Sequence, residues 1–152
     1  MVCCRLPRNL KKGKLKKRNN LLRTRTIVPS DTPVFLAIDH VQLAMPAGQE
    51  AVARAFFHGI LRMDELPKPP ELAIRGGCWF QGGNVQIHLG VDPDFHPAGK
   101  AHPAILCKNY DALLRLLHAA EISVAEAHEI PGVRRCHIHD PFGNRIELVS
   151  AD

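Results

Sequence analysis

Histidine or glutamate recurs on the same kind of strand position in four short segments of this chain. Ile38-Asp39-His40-Val41-Gln42-Leu43-Ala44 alternates as a strand, with His40 and Gln42 on one face and Val41 and Leu43 on the other. Val85-Gln86-Ile87-His88-Leu89 repeats the arrangement, with Gln86 and His88 opposite three aliphatics. His102 opens a third such stretch, residues 102–107, whose Pro103 fits only near a strand start or an edge. In Arg145-Ile146-Glu147-Leu148-Val149 the apolar pair Ile146 and Leu148 leaves Glu147 on the opposite face. A mid-strand carboxylate is either solvated or turned inward towards a partner, because an unpaired buried charge is too costly to keep. The three histidines and Glu147 are therefore either a solvated polar face or a cluster of nitrogen and oxygen donors. As a cluster they suit a divalent ion such as Zn, Ni, Mn or Fe, and two His with one carboxylate is the facial arrangement of non-haem Fe(II) sites.

The elements that must position these residues follow from periodicity. Residues 49–61 read as an amphipathic helix with Val52, Ala55, Phe56, Ile60 and Leu61 inward, Phe57 and His58 departing from that stripe, and His58 an exposed residue rather than a ligand. A short strand is expected at 63–66, and Pro67, Pro69 and Pro70 exclude regular structure until Glu71. Residues 72–75 and 78–80 are expected as one strand broken at Gly76-Gly77, and Gly82-Gly83-Asn84 turns the chain into 85–89. After a connector at 90–101 the layout repeats, with a strand at 102–107, a helix at about 110–120 with Leu113, Leu114, Leu116 and Leu117 as its stripe, and strands at 122–127, 133–139 and 145–149. Asp140-Pro141-Phe142-Gly143-Asn144 is the turn before the last strand. Two β-α-β-β-β units in series, at about 35–91 and 101–150, make an α+β fold in which Ile87-His88-Leu89 answers Ile146-Glu147-Leu148. That correspondence ranks His88 ahead of Gln86.

Three stretches together resemble the vicinal oxygen chelate superfamily of glyoxalases, bleomycin-resistance proteins and extradiol dioxygenases. They are His40 in Ile-Asp-His-Val; His102 with the later Asn109-Tyr110-Asp111-Ala112-Leu113-Leu114; and Asp140-Pro141-Phe142-Gly143-Asn144-Arg145-Ile146-Glu147-Leu148. The resemblance runs from about Phe35 to Val149 and implies a curved, cup-like mixed sheet with helices on its convex side. It also implies metal ligation by His40, His88, His102 and Glu147, with Glu147 and His88 as the catalytic groups, on a small substrate offering two adjacent oxygens. Gln42, Trp79, Gln86, Arg135 and His137 are the expected substrate-binding residues. Arg135 and His137 suit an anionic substrate if they share the cavity face, or else they form a solvated charged face; Trp79 is a pocket wall or a core residue. The glyoxalase pattern has a Glu where this chain has Gln86 and His88, which counts against methylglyoxal isomerisation. Two classes of function remain, a metalloenzyme (lyase, isomerase, dioxygenase or thiol transferase) and a metal-free binder of the bleomycin-resistance type. The ligand set favours the enzyme, because a pure binder has no need of it. In relatives of this size a homodimer often builds each site, which would set His40 and His88 of one chain beside His102 and Glu147 of the other.

Composition bounds the rest. At 152 residues and 45% hydrophobic the chain fits one globular domain, and with 5% aromatics its core must be mainly aliphatic. No run approaches the roughly 18 apolar residues of a membrane span, and the N-terminus lacks the apolar core of a secretory signal. Cys3, Cys4, Cys78, Cys107 and Cys136 show neither metal-site spacing nor a disulfide pattern, which fits a reducing, cytoplasmic setting. The net charge of +5 divides into +9 over residues 1–33, where ten Lys and Arg face Asp31 alone, and −4 over residues 34–152. The head is thus expected to be a disordered basic extension to the 34–152 domain. It could serve as an arm for nucleic acid or an anionic surface, as a targeting peptide, or as a passive extension.

Overall fold

The computed structural model describes residues 33–152, so the expectation of a disordered head at 1–33 lies almost wholly outside the described residues. The first module comprises β1 (Val41–Met45), α1 (Glu50–Arg54), β2 (Asp64–Leu66), α2 (Pro70–Ala73), β3 (Cys78–Gly82) and β4 (Val85–Val91). The second comprises β5 (Ala104–Cys107), α3 (Tyr110–Ala119), β6 (Ala125–Ala127), β7 (Arg135–His139) and β8 (Arg145–Ser150). They form two four-stranded mixed sheets, ordered β1-β4-β3-β2 and β5-β8-β7-β6. In each, the first strand runs parallel to the last and the other pairs are antiparallel. This is the α+β fold of two βαβββ modules.

Alternation gives each sheet an apolar face and a polar one. Met45, Cys78, Phe80, Ile87 and Leu89 are buried in one core with Ala53, Phe56 and Phe57 of the first helix, and Phe57 stacks on Phe80 at 5.2 Å. In the second module Cys136, Ile138, Ile146 and Leu148 are buried with Tyr110 and Leu117. Each large side chain so buried contributes roughly 1.5–3 kcal/mol relative to exposure. The helices therefore cover one face of each sheet, and His88, His137 and Glu147 fall on the other.

Several local expectations are corrected. Beyond Arg54 the first helix continues as a π-helical segment, Ala55–Ile60, closed by Leu61 N–H donating to Phe56 O at 2.9 Å. The inward stripe runs Ala53, Phe56, Phe57 and Ile60, so Phe57 is fully buried while Val52 is exposed. Residues 70–73 are a single helical turn, where the sequence predicts no regular structure before Glu71 and a strand at 72–75. Pro70 sits at its first position, where a missing N–H costs nothing, and Leu72 N–H donates to Pro69 O. Gly77 then turns the chain at φ +79, pressed so close to β4 that a Cβ would lie 2.1 Å from Leu89 O. β1 starts at Val41 and β5 at Ala104, later than alternation suggested, because pairing with β4 and β8 begins there. Leu116 lies on the exposed side of α3. No helix among the described residues is long and apolar enough to cross a membrane.

Candidate metal centre

The turn before β8 fixes the register of the site. Asp140 accepts from the N–H groups of Phe142 (2.9 Å) and Asn144 (2.8 Å), while Asn144 Nδ2 donates both to Asp140 and, across to β1, to Ala44 O at 2.8 Å. Burial pushes the Asp140 carboxyl up, and these donors pull the other way. With the turn closed, His139 pairs with Arg145, so His137 stands opposite Glu147, and Glu147 lies beside Ala104 on its other flank.

Glu147 is the centre of a tight group. Its Oε2 is 3.1 Å from His102 Nε2 and 3.8 Å from His137 Nε2, and its Oε1 accepts from Arg135 Nη1 at 2.7 Å. Arg135 holds the Glu147 carboxyl below the usual carboxylate range against the opposing effect of burial. Burial lowers the His137 imidazole, and Arg145 adds to that, while Glu147 opposes it. His102 Nδ1 lies 2.7 Å from Lys100 O, and since a carbonyl only accepts, Nδ1 carries a proton. Its Nε2 therefore faces a carboxylate oxygen with a second acceptor already on the other side of the ring. Only a cation on Nε2, a proton or a metal ion, satisfies that contact.

On the first sheet His88 lies between two rings, Trp79 at 4.3 Å and His40 at 4.0 Å, both nearly parallel to it. His88 is 7% exposed, its Nε2 has no partner, and burial depresses its imidazole, with His40 adding to the effect. His40 Nδ1 meets Asp39 at 2.8 Å, and Lys68 Nζ lies 5.9 Å over the Trp79 ring. Gln42 is paired with His88 and lies over Gly90, where a Cβ would approach Gln42 Nε2 to 2.7 Å. Gln86 pairs with Gln81, one step along the same face.

The two modules carry equivalent positions. Gln42 pairs with His88 as Ala104 pairs with Glu147, so His40 and His102 each stand two residues before the strand partner of a site residue. Trp79 faces His88 as His137 faces Glu147. Among the described residues, the ligand atoms of His102, His137 and Glu147 form the one group of three or more His, Cys, Asp or Glu lying mutually within 4.8 Å. The four expected ligands thus fall into two pairs within one chain, His40 with His88 and His102 with Glu147. His137, read from sequence as a substrate contact, stands at a ligand distance. Its signal was available, since counting back from the Asp140–Asn144 turn pairs it with Glu147. Glu129, bound to Arg135 Nη2 at 2.8 Å, had no sequence signal.

Two clefts border β1 and β5. One, of 630 Å3, is lined by His40, Gln86, Ile105 and Leu106. The other, of 620 Å3, is lined by Gln42, His96, His102 and Arg145. A 710 Å3 cleft at Glu50, Arg54, Glu65 and Lys68 includes none of these histidines and plays no part in the site.

The structure is similar to that of a glyoxalase family protein from Bacillus anthracis, at 45% identity and a TM-score of 0.77, over 80% of this chain and 99% of that one. At lower identity the fold is shared with FosX, a fosfomycin resistance protein from Listeria monocytogenes (15% identity, TM-score 0.61, 78% of this chain and 96% of that one). It is shared also with TnmS3, an antibiotic binding protein from a Streptomyces species (22% identity, TM-score 0.59, 78% and 100%). No family model matches the sequence, and no curated protein matches it at a significant level.

Proposed function

The chain belongs to the glyoxalase family of the vicinal oxygen chelate superfamily, and from that premise we propose that it is a divalent-metal-dependent enzyme acting on a small substrate with two adjacent oxygens. The observation that carries this reading is His102, whose Nδ1 proton is engaged by Lys100 O and whose Nε2 is aimed at Glu147 Oε2. A ligating histidine is usually fixed in this way, by a backbone acceptor on its other nitrogen. Arg135 occupies only Oε1 of Glu147, leaving Oε2 towards both histidines. Two imidazoles and one carboxylate suit Zn, Ni, Mn or Fe(II).

A divalent ion bound there would act as Lewis acid on the two substrate oxygens. The protein's own residues do the rest. Glu147 and His102 would hold one side of the site, and in a homodimer His40 and His88 of the partner chain would complete it. If His88 is left free of the ion, its imidazole, held neutral by burial and with Nε2 unpartnered, would serve as the base that takes a proton from the substrate. Gln42 and Gln86 would orient the substrate, Trp79 would wall it and backs His88, and Arg135 would receive its polar end. Cys78, Cys107 and Cys136 are free thiols, in keeping with a reducing, cytoplasmic setting.

One observation favours a second reading, a metal-free binding protein. The Arg135–Glu147 ion pair already neutralises the carboxylate without any ion. Metal titration separates the two, since a binder of this kind takes up its small molecule equally well in a chelator.

A further inference from the structure

Arg135 is gripped by carboxylates from two different segments. Nη1 donates to Glu147 Oε1 inside the site, and Nη2 donates to Glu129 Oε2 at 2.8 Å. The two partners differ in setting: the Glu147 side chain is 12% exposed and Glu129 is 76% exposed, with Arg135 between them at 14%. Glu129 belongs to the stretch 128–134 between β6 and β7, every residue of which is exposed. An exposed ion pair of this kind is worth little against water, so Glu129 can be exchanged for another anion at low cost. Arg135 cannot be exchanged so easily, because a guanidinium this buried needs its acceptors, and its Nε already lacks one.

Charge points the same way. Glu129 and Glu147 set two negative charges against the one positive charge of Arg135, and a divalent ion in place of the proton on His102 Nε2 makes the cluster one positive. Release of Glu129 to solvent then leaves the cluster two positive and frees Arg135 Nη2 for another acceptor. Guanidinium geometry matches carboxylate, and a carboxylate, that of Glu129, is what Nη2 already holds.

We propose that Glu129 stands in for the substrate's own carboxylate: the substrate is a small oxygenated carboxylate whose anionic end displaces Glu129 from Arg135 Nη2. This deepens the proposed function, resting on it for the role of Glu147, while the Arg135–Glu129 exchange itself needs no metal. The test is calorimetric titration of the full chain and of Glu129→Gln with acetate, glycolate, lactate and pyruvate, and with hydroxyacetone as the neutral counterpart, each in EDTA and again with Zn. Removing the competitor should tighten at least one carboxylate by roughly two- to fivefold, the scale of losing an exposed ion pair. Hydroxyacetone should be unaffected, and Arg135→Lys should weaken the same carboxylate. Equal carboxylate binding to the full chain and to Glu129→Gln, or none to either, overturns the proposal. The EDTA arm separates the two readings: a Glu129→Gln effect that persists in a protein taking up no metal sinks the enzyme reading alone, and metal uptake without that effect sinks this one alone.

Discussion

His137 and Glu147 face each other directly across β7 and β8, with His137 Nε2 3.8 Å from Glu147 Oε2. The separation is too long for a hydrogen bond, yet one ion can span it, since metal bonds to imidazole nitrogen and carboxylate oxygen are about 2.0–2.2 Å. Replacing His137 by Ala should therefore weaken Zn binding by at least about tenfold, the lower end of what even indirect supports of a metal site contribute. Calorimetry would show it. Unchanged Zn affinity in a folded His137→Ala protein would return His137 to the role of a substrate contact.

Assembly of the site from two subunits makes a separate prediction. Within one chain His40 stacks on His88, and His102 meets Glu147, as two pairs. If a homodimer joins the pair of one chain to that of the other, mixing His40→Ala with Glu147→Gln protein should restore part of the activity, because one of the two hybrid sites is intact. Sites contained in single chains leave the mixture inactive.

Acid should destabilise the protein in two stages. Burial sets the His88 and His137 imidazoles below their ordinary value of 6.5, so the unfolded chain binds the extra protons and stability declines as pH falls below about 6.5 towards the folded values. Glu147 is held below 4.5 by Arg135, so its contribution is complete above that pH and disappears as pH falls through the folded value. In EDTA, Glu147→Gln should flatten the second stage by roughly 1.5 kcal/mol, the lower end of what one charge-assisted hydrogen bond contributes. Urea unfolding from pH 7 to pH 3 measures it, and parallel curves for the two proteins would rule out Glu147 as the group responsible.

The basic head should be dispensable to the body, as its charge density and lack of period suggest. A chain beginning at Thr32 should melt within a few degrees of full length. A loss above about 2 kcal/mol, a large share of an ordinary domain's stability, would mean that the head packs on the body.

Sequence alternation was a good guide wherever one strand face is apolar. It set Ile87 and Leu89 against His88, and Ile146 and Leu148 against Glu147, and the repeated layout exposed the two modules. It failed where local geometry departs from a fixed period. The stripe of the first helix runs through Ala53 and Phe57 rather than Val52, and a proline at a helix start turned 70–73 into a helical turn. The stack of Trp79, His88 and His40 and the grip of Glu129 on Arg135 join residues distant in sequence or set on a loop. Periodicity carries no record of such contacts, whereas the cross-strand partner of Glu147 could be counted from its turn.

The most direct test of the account is metal uptake by wild-type protein and by Glu147→Gln, followed by titration and by melting in EDTA and in excess Zn, Ni, Mn or Fe(II). The ligands come from separate strands, so an ion should bind the folded state alone and add about 2.7 kcal/mol of stability at a hundred times its dissociation constant. Glu147→Gln should remain folded and lose that increment. Wild-type protein that binds no divalent ion, and melts identically in EDTA and in each metal, would contradict the enzyme reading and leave a metal-free binding protein.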